Sequence, residues 1–434
     1  MRSAVALVLL LGSLVAHAVA AADDPATATV VLKAAHMFDG MSGRLRDDGA
    51  IVIRGERIVA VGSSQAAPAT ARVIDLGDAT LLPGFIDSHV HLGQEMQSDY
   101  HHGFYDEMLR FPVEQAHYAA AYAKRTLEAG FTTVRNVGAR DFIDVGLRNA
   151  INAGIIAGPR MLTAGHAIGS TGGHCDGPPF PPEVIRPRGA IQGVCNGAED
   201  CRAAVRYQLK WGADVIKLCA SGGVLSESDP VDVPQLTPAE LSAIVSEAHA
   251  WKRKVAAHSH GDVAARLAVE AGVDSVDHGT FLSEPTLRLM KDKGVYLVPV
   301  TMPGYWVARQ LDELPPAIRD KALAAIKAQG DTTRTAQRIG VPIAFGTDSG
   351  VSPHGINAKE FSLLVELGMS PSAALLSGTR EAAKLLGVDA EVGTLEPGKF
   401  ADVVAVRGNV LANIAATETP LLVMKQGRLV VGPP

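Results

Sequence analysis

The chain has 434 residues, 47% of them hydrophobic and 20% charged, close to the globular average, which excludes a disordered, fibrous or coiled-coil protein. Its 40 Lys and Arg against 46 Asp and Glu give a formal charge of −6, and aromatic residues are only 5%, so nucleic acid and anionic lipid surfaces are poor partners. At roughly 150 residues per domain the length allows about three units, or one α/β barrel of about 250 residues with something smaller beside it.

Residues 1–22 read as a secretory signal peptide: Arg2, an apolar run from Ala4 to Leu11 continuing through Val15, then Ala18-Val19-Ala20-Ala21-Ala22 as a small-residue cleavage region. A membrane anchor is the alternative, but the apolar core is far shorter than the roughly 20 residues a spanning helix needs. Cleavage implies a periplasmic or secreted protein with no membrane attachment, in a compartment that permits disulfides. Residues 23–82 carry Val30-Val31-Leu32, Ala50 to Arg54 and Arg57 to Val61 between Gly-rich turns, and residues 391–434 have the same texture in Ala401 to Val406 and Leu421 to Val431. These short β segments are expected to form one small β-sandwich domain from both ends of the chain, with residues 83–390 inserted between them.

Within 83–390, β-branched runs alternate with amphipathic segments that stop at Gly130, Gly154, Gly212, Gly272, Gly294 and Gly340. They define eight expected strands: Phe85–Leu92, Thr132–Val137, Arg160–Gly165, Val215–Ala220, Lys254–His260, Ser275–Gly279, Tyr296–Val300 and Pro342–Asp348. Eight strands separated by helix-length segments predict a (β/α)8 TIM barrel. A doubly wound open sheet would show a Gly-rich phosphate turn after the first strand, and there is none. The Gly- and Pro-rich stretch 165–193 is long enough to be a functional loop.

The working face of such a barrel is the C-terminal end of its strands. His89 and His91 are two apart on the first strand and share a face, and two buried imidazoles are costly unless they are paired or bind a metal. Lys217 interrupts the apolar run Val215 to Ala220, and three readings are open for it: an amine paired or reaching the barrel mouth, a Schiff-base lysine, or a carbamate whose oxygens bridge two cations. His258 and His260, then His278, then Asp348 stand at the ends of the fifth, sixth and eighth strands. The imidazoles of His89, His91, His258 and His278, with one carboxylate and one potential carbamate, suit two divalent, zinc-type ions.

The run Leu82-Pro83-Gly84-Phe85-Ile86-Asp87-Ser88-His89-Val90-His91, the Lys217 strand, His258 with His278, Asp348, and the closing Gly393 to Asp402 resemble the metal-dependent amidohydrolase superfamily. Val215 to Gly223, His258 to Gly261 and Asp277 to Thr280 resemble its imidazolonepropionase-like and prolidase-like branch, which holds secreted dipeptidases and amidases that hydrolyse N-acyl amino acids and ochratoxin. The resemblance implies that His89, His91 and Asp348 hold one metal ion and His258 and His278 the other, with N6-carboxylated Lys217 bridging both. It implies hydrolysis of a C–N amide bond of a dipeptide or N-acyl amino acid bearing a free carboxylate, by a hydroxide shared between the metals, with Asp348 as catalytic proton acceptor. Relatives of this branch are often large homo-oligomers, an octamer among them.

Residues around the expected pocket are substrate-binding candidates: Ser88, His166, His174, Ser221, Gly222, Val224 and His260, with Ser170 and Thr171 on the same loop as His166. His260 shares the face of His258 and reads equally as an ordinary satisfied histidine. Alternatives within the superfamily are a cyclic-amide hydrolase or a deaminase. Mononuclear deaminases carry Glu three positions after the fifth-strand histidine, where this chain has Gly261. Outside catalysis the alternative is an inactive periplasmic binding protein. Cys195 and Cys201 could pair with each other or with Cys175, or all four cysteines including Cys219 could be thiols; no Cys-x-x-Cys motif is present.

Overall fold

The computed structural model describes residues 29–62, 67–96, 99–177, 181, 183, 186–226 and 229–433. The signal segment 1–22 lies outside the described residues. Both ends of the chain build one sheet: β1 (Thr29–Phe38), β2 (Leu45–Arg54), β3 (Arg57–Val61), β4 (Arg72–Asp75) and β5 (Ala79–Pro83) join three later strands in the order β15-β14-β13-β5-β1-β2-β3, with β4 alongside β1. The later three are β13 (Val403–Arg407), β14 (Leu422–Lys425) and β15 (Arg428–Val431). Hydrogen bonding links all these strands into one sheet, the small β domain expected from both ends of the chain. The strand alternation explains how it attaches. Leu81, Val403 and Ala405 enter the small domain's own core, while Leu82, Val404 and Val406 point the other way into the core of the central domain.

The central domain contains β6 (Phe85–Val90), β7 (Phe131–Asn136) and β8 (Arg160–Thr163) as one parallel group, and β9 (Val215–Cys219), β10 (Lys254–Ser259), β11 (Ser275–His278) and β12 (Tyr296–Val298) as another. Helices such as Pro112–Glu128, Ala198–Lys210, Pro238–Ala250 and Pro316–Ile339 separate them. The glycines expected to stop helices at 130, 154, 212, 272, 294 and 340 all have positive φ, a conformation that costs glycine nothing, so the chain turns into each strand without strain.

The eighth expected strand, Pro342–Asp348, is a correction. Pro342 has no N–H to give, and Phe345 N donates to Ser377 O instead of a neighbouring strand, so no regular ladder forms. The segment still closes the barrel. Leu297 N donates to Pro342 O at 2.9 Å, Ala344 N to Leu297 O at 3.0 Å, Ser88 N to Phe345 O at 2.9 Å and Asp348 N to His89 O at 2.8 Å. On the opposite side Ile168 N donates to Lys217 O and Cys219 N to Ile168 O, each at 2.8 Å, joining the two strand groups. No helix among the described residues is long and apolar enough to cross a membrane.

Candidate metal and active site

At the C-terminal ends of these strands lies a cavity of about 360 Å3, within the range of small-molecule sites. His89, His91, Lys217, His258, His260, His278 and Asp348 all line it. Strand alternation puts Lys217 and Cys219 on the cavity face of β9, while Ile216 and Leu218 pack outward against the helices.

On β11 the adjacent residues Asp277 and His278 both face inward, which a regular strand forbids. His278 achieves this with φ of 73°, and Asp348 at the end of the closing segment has φ of 53°. Such left-handed backbone at non-glycine residues is strained and concentrates at working sites. Asp87 braces this region: its carboxylate accepts from His89 N at 3.1 Å, Thr347 Oγ1 at 2.6 Å and Asn357 Nδ2 at 2.9 Å, tying β6 to the closing segment.

The donor atoms converge. One ligand atom from each of His89, His278 and Asp348 lies within 4.8 Å of the others, and the same is true of His258, His260 and His278. Asp348 Oδ1 is 3.4 Å from His89 Nε2 and 3.3 Å from His91 Nε2. The rings of His258 and His278 are 4.6 Å apart, and His260 stacks on His278 at 4.7 Å. His260 thus stands among the potential ligands; its Nδ1 meets Thr280 Oγ1 at 2.7 Å, leaving Nε2.

Electrostatics favour the ligand forms. Burial lowers His91 to about 4 and His260 to about 3, and holds His258 and His278 well below the usual imidazole value, so all four are neutral near pH 7. Burial opposes ionisation of Asp348, yet His89, His91 and His278 hold its carboxyl well below the ordinary range. Burial also pushes the Lys217 ammonium down; Asp277 opposes this and the Arg135 cation adds to it. Lys217 Nζ is 3.2 Å from Asp277 Oδ2. Neutral imidazoles, an ionised carboxylate and a buried amine are a donor set that fits divalent cations.

Of the substrate candidates, His166, His174 and Val224 line the cavity. The ring of His174 stacks on His258 at 4.3 Å, and its Nδ1 is buried without a hydrogen-bond partner among the described residues. Gly223 makes room for it: a methyl there would overlap the His174 ring, with Nε2 only 2.7 Å away. Ser88, Ser221 and Gly222 do not line the cavity, nor do Ser170 and Thr171. Alternation turns Ser88 away from His89, Ser221 Oγ is occupied by His260 N at 2.9 Å, and Gly222 presents only its carbonyl, 3.2 Å from His258 Nε2. Thr171 Oγ1 accepts from Asn196 Nδ2.

Sequence reasoning missed Arg140, Arg188 and Gln192 in the wall, and Asp277 and Arg135 beneath the floor. Arg140 and Arg188 make no ion pair among the described residues. Val307, Ala322, Ile326 and Val351 form an apolar wall. The cysteines pair as Cys175–Cys219 and Cys195–Cys201, and both residues of the first bond line the cavity.

Residues 80–430 match the profile of the Amidohydrolase family. The ochratoxinase of Aspergillus niger is 32% identical over 441 residues, covering 96% of this chain and 89% of its own. The imidazolonepropionase of Aromatoleum aromaticum is 29% identical over 396 residues, covering 83% of this chain and 85% of its own. A crystal structure of an Xaa-Pro dipeptidase with methionine in its active site superposes with a TM-score of 0.88 at 39% identity, covering 93% of this chain and all of that one.

Proposed function

This chain belongs to the amidohydrolase family of metal-dependent hydrolases and acts on amide bonds, and from that premise we propose a binuclear enzyme cleaving a dipeptide or N-acyl amino acid that carries a free carboxylate. The observation that carries this reading is the convergence of four buried imidazoles, the half-buried His91, Asp348 and the Lys217 amine on one cavity floor.

His89, His91 and Asp348 would hold one cation, and His258 and His278 the other, with His260 beside them. Zinc suits these nitrogen and oxygen donors. Bound cations would acidify a shared water and polarise the scissile carbonyl. Lys217 becomes an anionic bridging ligand if its neutral Nζ joins the carbon of carbon dioxide, releasing one proton and keeping one N–H. Asp348, held ionised by its histidine neighbours, is placed to accept the proton of the attacking water and return it to the leaving amine. The apolar wall suits a hydrophobic side chain, and Arg140 and Arg188 suit the substrate carboxylate. Gly261 supports hydrolysis over deamination: any side chain there would meet the Asp232 backbone, whose Cα lies 2.8 Å from the added carbon.

Two disulfides support action in a periplasmic or secreted setting. Tyr105 and Leu109 on one helix, Val113 on the next and Phe111 in the link between them are more than half exposed, which supports a homo-oligomer. The test is metal content by elemental analysis, with a screen of dipeptides, N-acyl amino acids and cyclic amides read out by product release. Two divalent ions per chain, release of free amino acid and loss of both activity and bridged metal in Lys217→Ala are expected. A protein that binds no divalent ion, or that opens only cyclic amides, would overturn the reading.

A further inference from the structure

Arg135 heads the fully buried side chains by size, 1% exposed, and does not reach the cavity. Its Nε donates to Ser88 O at 2.5 Å, Nη1 to Ser275 Oγ at 3.2 Å, and Nη2 to both oxygens of Asp277 at 3.2 and 3.3 Å. Asp277 is wholly buried. Its Oδ1 also accepts from Ser275 Oγ at 2.8 Å, while its Oδ2 faces His89 Nδ1 at 2.9 Å and Lys217 Nζ at 3.2 Å.

One carboxylate thus reaches two groups at the cavity floor, and its rotation is blocked from behind by a guanidinium and a hydroxyl. A buried arginine and aspartate are not needed to fill this space, because apolar side chains of similar volume hold an interior at least as well. Their geometry instead sets direction. Asp277 Oδ2 fixes the proton of His89 on Nδ1, so Nε2 turns its lone pair toward the cavity, where Asp348 Oδ1 stands 3.4 Å away. The same oxygen holds Nζ of Lys217, and a carboxylated lysine retains one N–H that can keep that contact.

We infer that Arg135 and Asp277 form a buried clamp that orients His89 and Lys217 for metal binding, which makes Arg135 a positioning residue that touches neither substrate nor cation. The inference rests on the metal-centre reading of the preceding section. Ser88, whose side chain stays outside the cavity, belongs to the clamp through its carbonyl.

The experiment measures zinc stoichiometry and zinc affinity, by chelator competition, together with the thermal midpoint of metal-stripped protein. The proteins are the wild type, Arg135→Met, Asp277→Asn, the double variant and Ser275→Ala. Arg135→Met leaves the buried Asp277 carboxylate with Lys217 as its one cationic partner among the described residues and lowers the midpoint. The double variant removes both charges, so its midpoint recovers, yet its zinc affinity remains about 10- to 100-fold weaker than wild type. A purely structural pair would recover both together. Ser275→Ala removes the hydroxyl that bonds both Arg135 Nη1 and Asp277 Oδ1 and lowers affinity about fivefold, and this decides the matter if the arginine variants do not fold. Wild-type zinc affinity in the folded double variant, or in Ser275→Ala should the double variant fail to fold, overturns the clamp. Absence of zinc binding by the wild type overturns the metal-centre reading itself and the clamp with it.

Discussion

Replacing Gly223 by alanine adds one methyl group at the back of His174. Gly223 lies outside the left-handed region, so alanine carries no backbone penalty and the substitution tests space alone. The methyl would sit 2.7 Å from His174 Nε2 and closer still to Cε1 and Nδ1, whereas ordinary contact begins at 3.4 Å. The far side of the ring must retreat by about 0.7 Å and the near side by more. Two features resist that retreat: the ring already stacks on His258 at 4.3 Å, and the next residue, Cys175, is bonded to Cys219. Overpacking of this kind costs about 1–3 kcal/mol, and an ångström of misplacement in a site can cost about 100-fold in rate. We expect kcat/KM to fall by about 10- to 100-fold, with a small drop in thermal midpoint. Gly223→Ala combined with His174→Ala should regain the midpoint without regaining activity. Wild-type kcat/KM and midpoint in Gly223→Ala would refute the reasoning, because His174 would then not be held against the site by Gly223.

Asp348→Asn keeps the shape of the side chain but removes the proposed proton acceptor, so kcat should fall by about 100- to 10,000-fold, and near-normal turnover at wild-type metal content would exclude the proposed role. Arg188→Gln should weaken kcat/KM by about 10- to 100-fold for substrates with a free carboxylate and leave their C-terminal amides unaffected; equal losses for both would remove Arg188 from carboxylate recognition. The Cys175–Cys219 bond closes a loop of sequence separation 44 and Cys195–Cys201 one of 6, so in the chain-entropy treatment their removal costs about 4 and about 2 kcal/mol, and urea melts of the two serine pairs should rank in that order. Burial lowers His91 to about 4 and His260 to about 3, below the 6.5 of an unfolded imidazole, so between about pH 6.5 and 4 the unfolded chain binds protons that the folded chain does not. The stability these two histidines contribute to metal-stripped protein should therefore be fully present above pH 6.5 and fall with acidification by up to about 1.4 kcal/mol per pH unit per histidine, read as the difference between the pH profiles of wild type and the His91→Gln, His260→Gln double variant because Asp87, raised to about 6, and Glu360, raised to about 8, act in the opposite direction in both; identical profiles from pH 7 to 5 would contradict this.

The barrel strands and the polar residues gathered at their ends were legible because the evidence is local. His89 and His91 repeat at the strand period, and Lys217 stands out in an apolar run. What was hidden depends on departures from that period or on distant partners. Asp277 reads from sequence as out of phase with His278, and only the positive φ at His278 brings both side chains inward. Arg135 sits in a β-branched run and looks like a strand residue of no consequence until Asp277 and Ser88 are seen around it. Ser221 and Gly222 were placed at the pocket because they follow Lys217 closely, but Ser221 is taken by His260 N and Gly222 is pressed against the Pro230 carbonyl. The partner of Cys219 is on the loop before it, a separation no spacing rule predicts.

The charges beneath the cavity floor would couple the proposed carboxylation of Lys217 to metal binding. With Lys217 as an ammonium, Asp277 has a cation on each side, Lys217 and Arg135, and the buried charges are matched. Converting the amine to a carbamate removes one of those cations and adds an anion beside Asp277 and near Asp348, in a place where burial already penalises every carboxylate. That form is stable only when cations take up the excess negative charge. Cations in turn find too few anionic ligands until the carbamate exists. Linkage would make that coupling reciprocal, carbon dioxide strengthening metal binding by the same factor that metal would strengthen carboxylation. Arg135 is the one cation of the group that cannot lose its proton, and its place behind Asp277 keeps that carboxylate paired in both states.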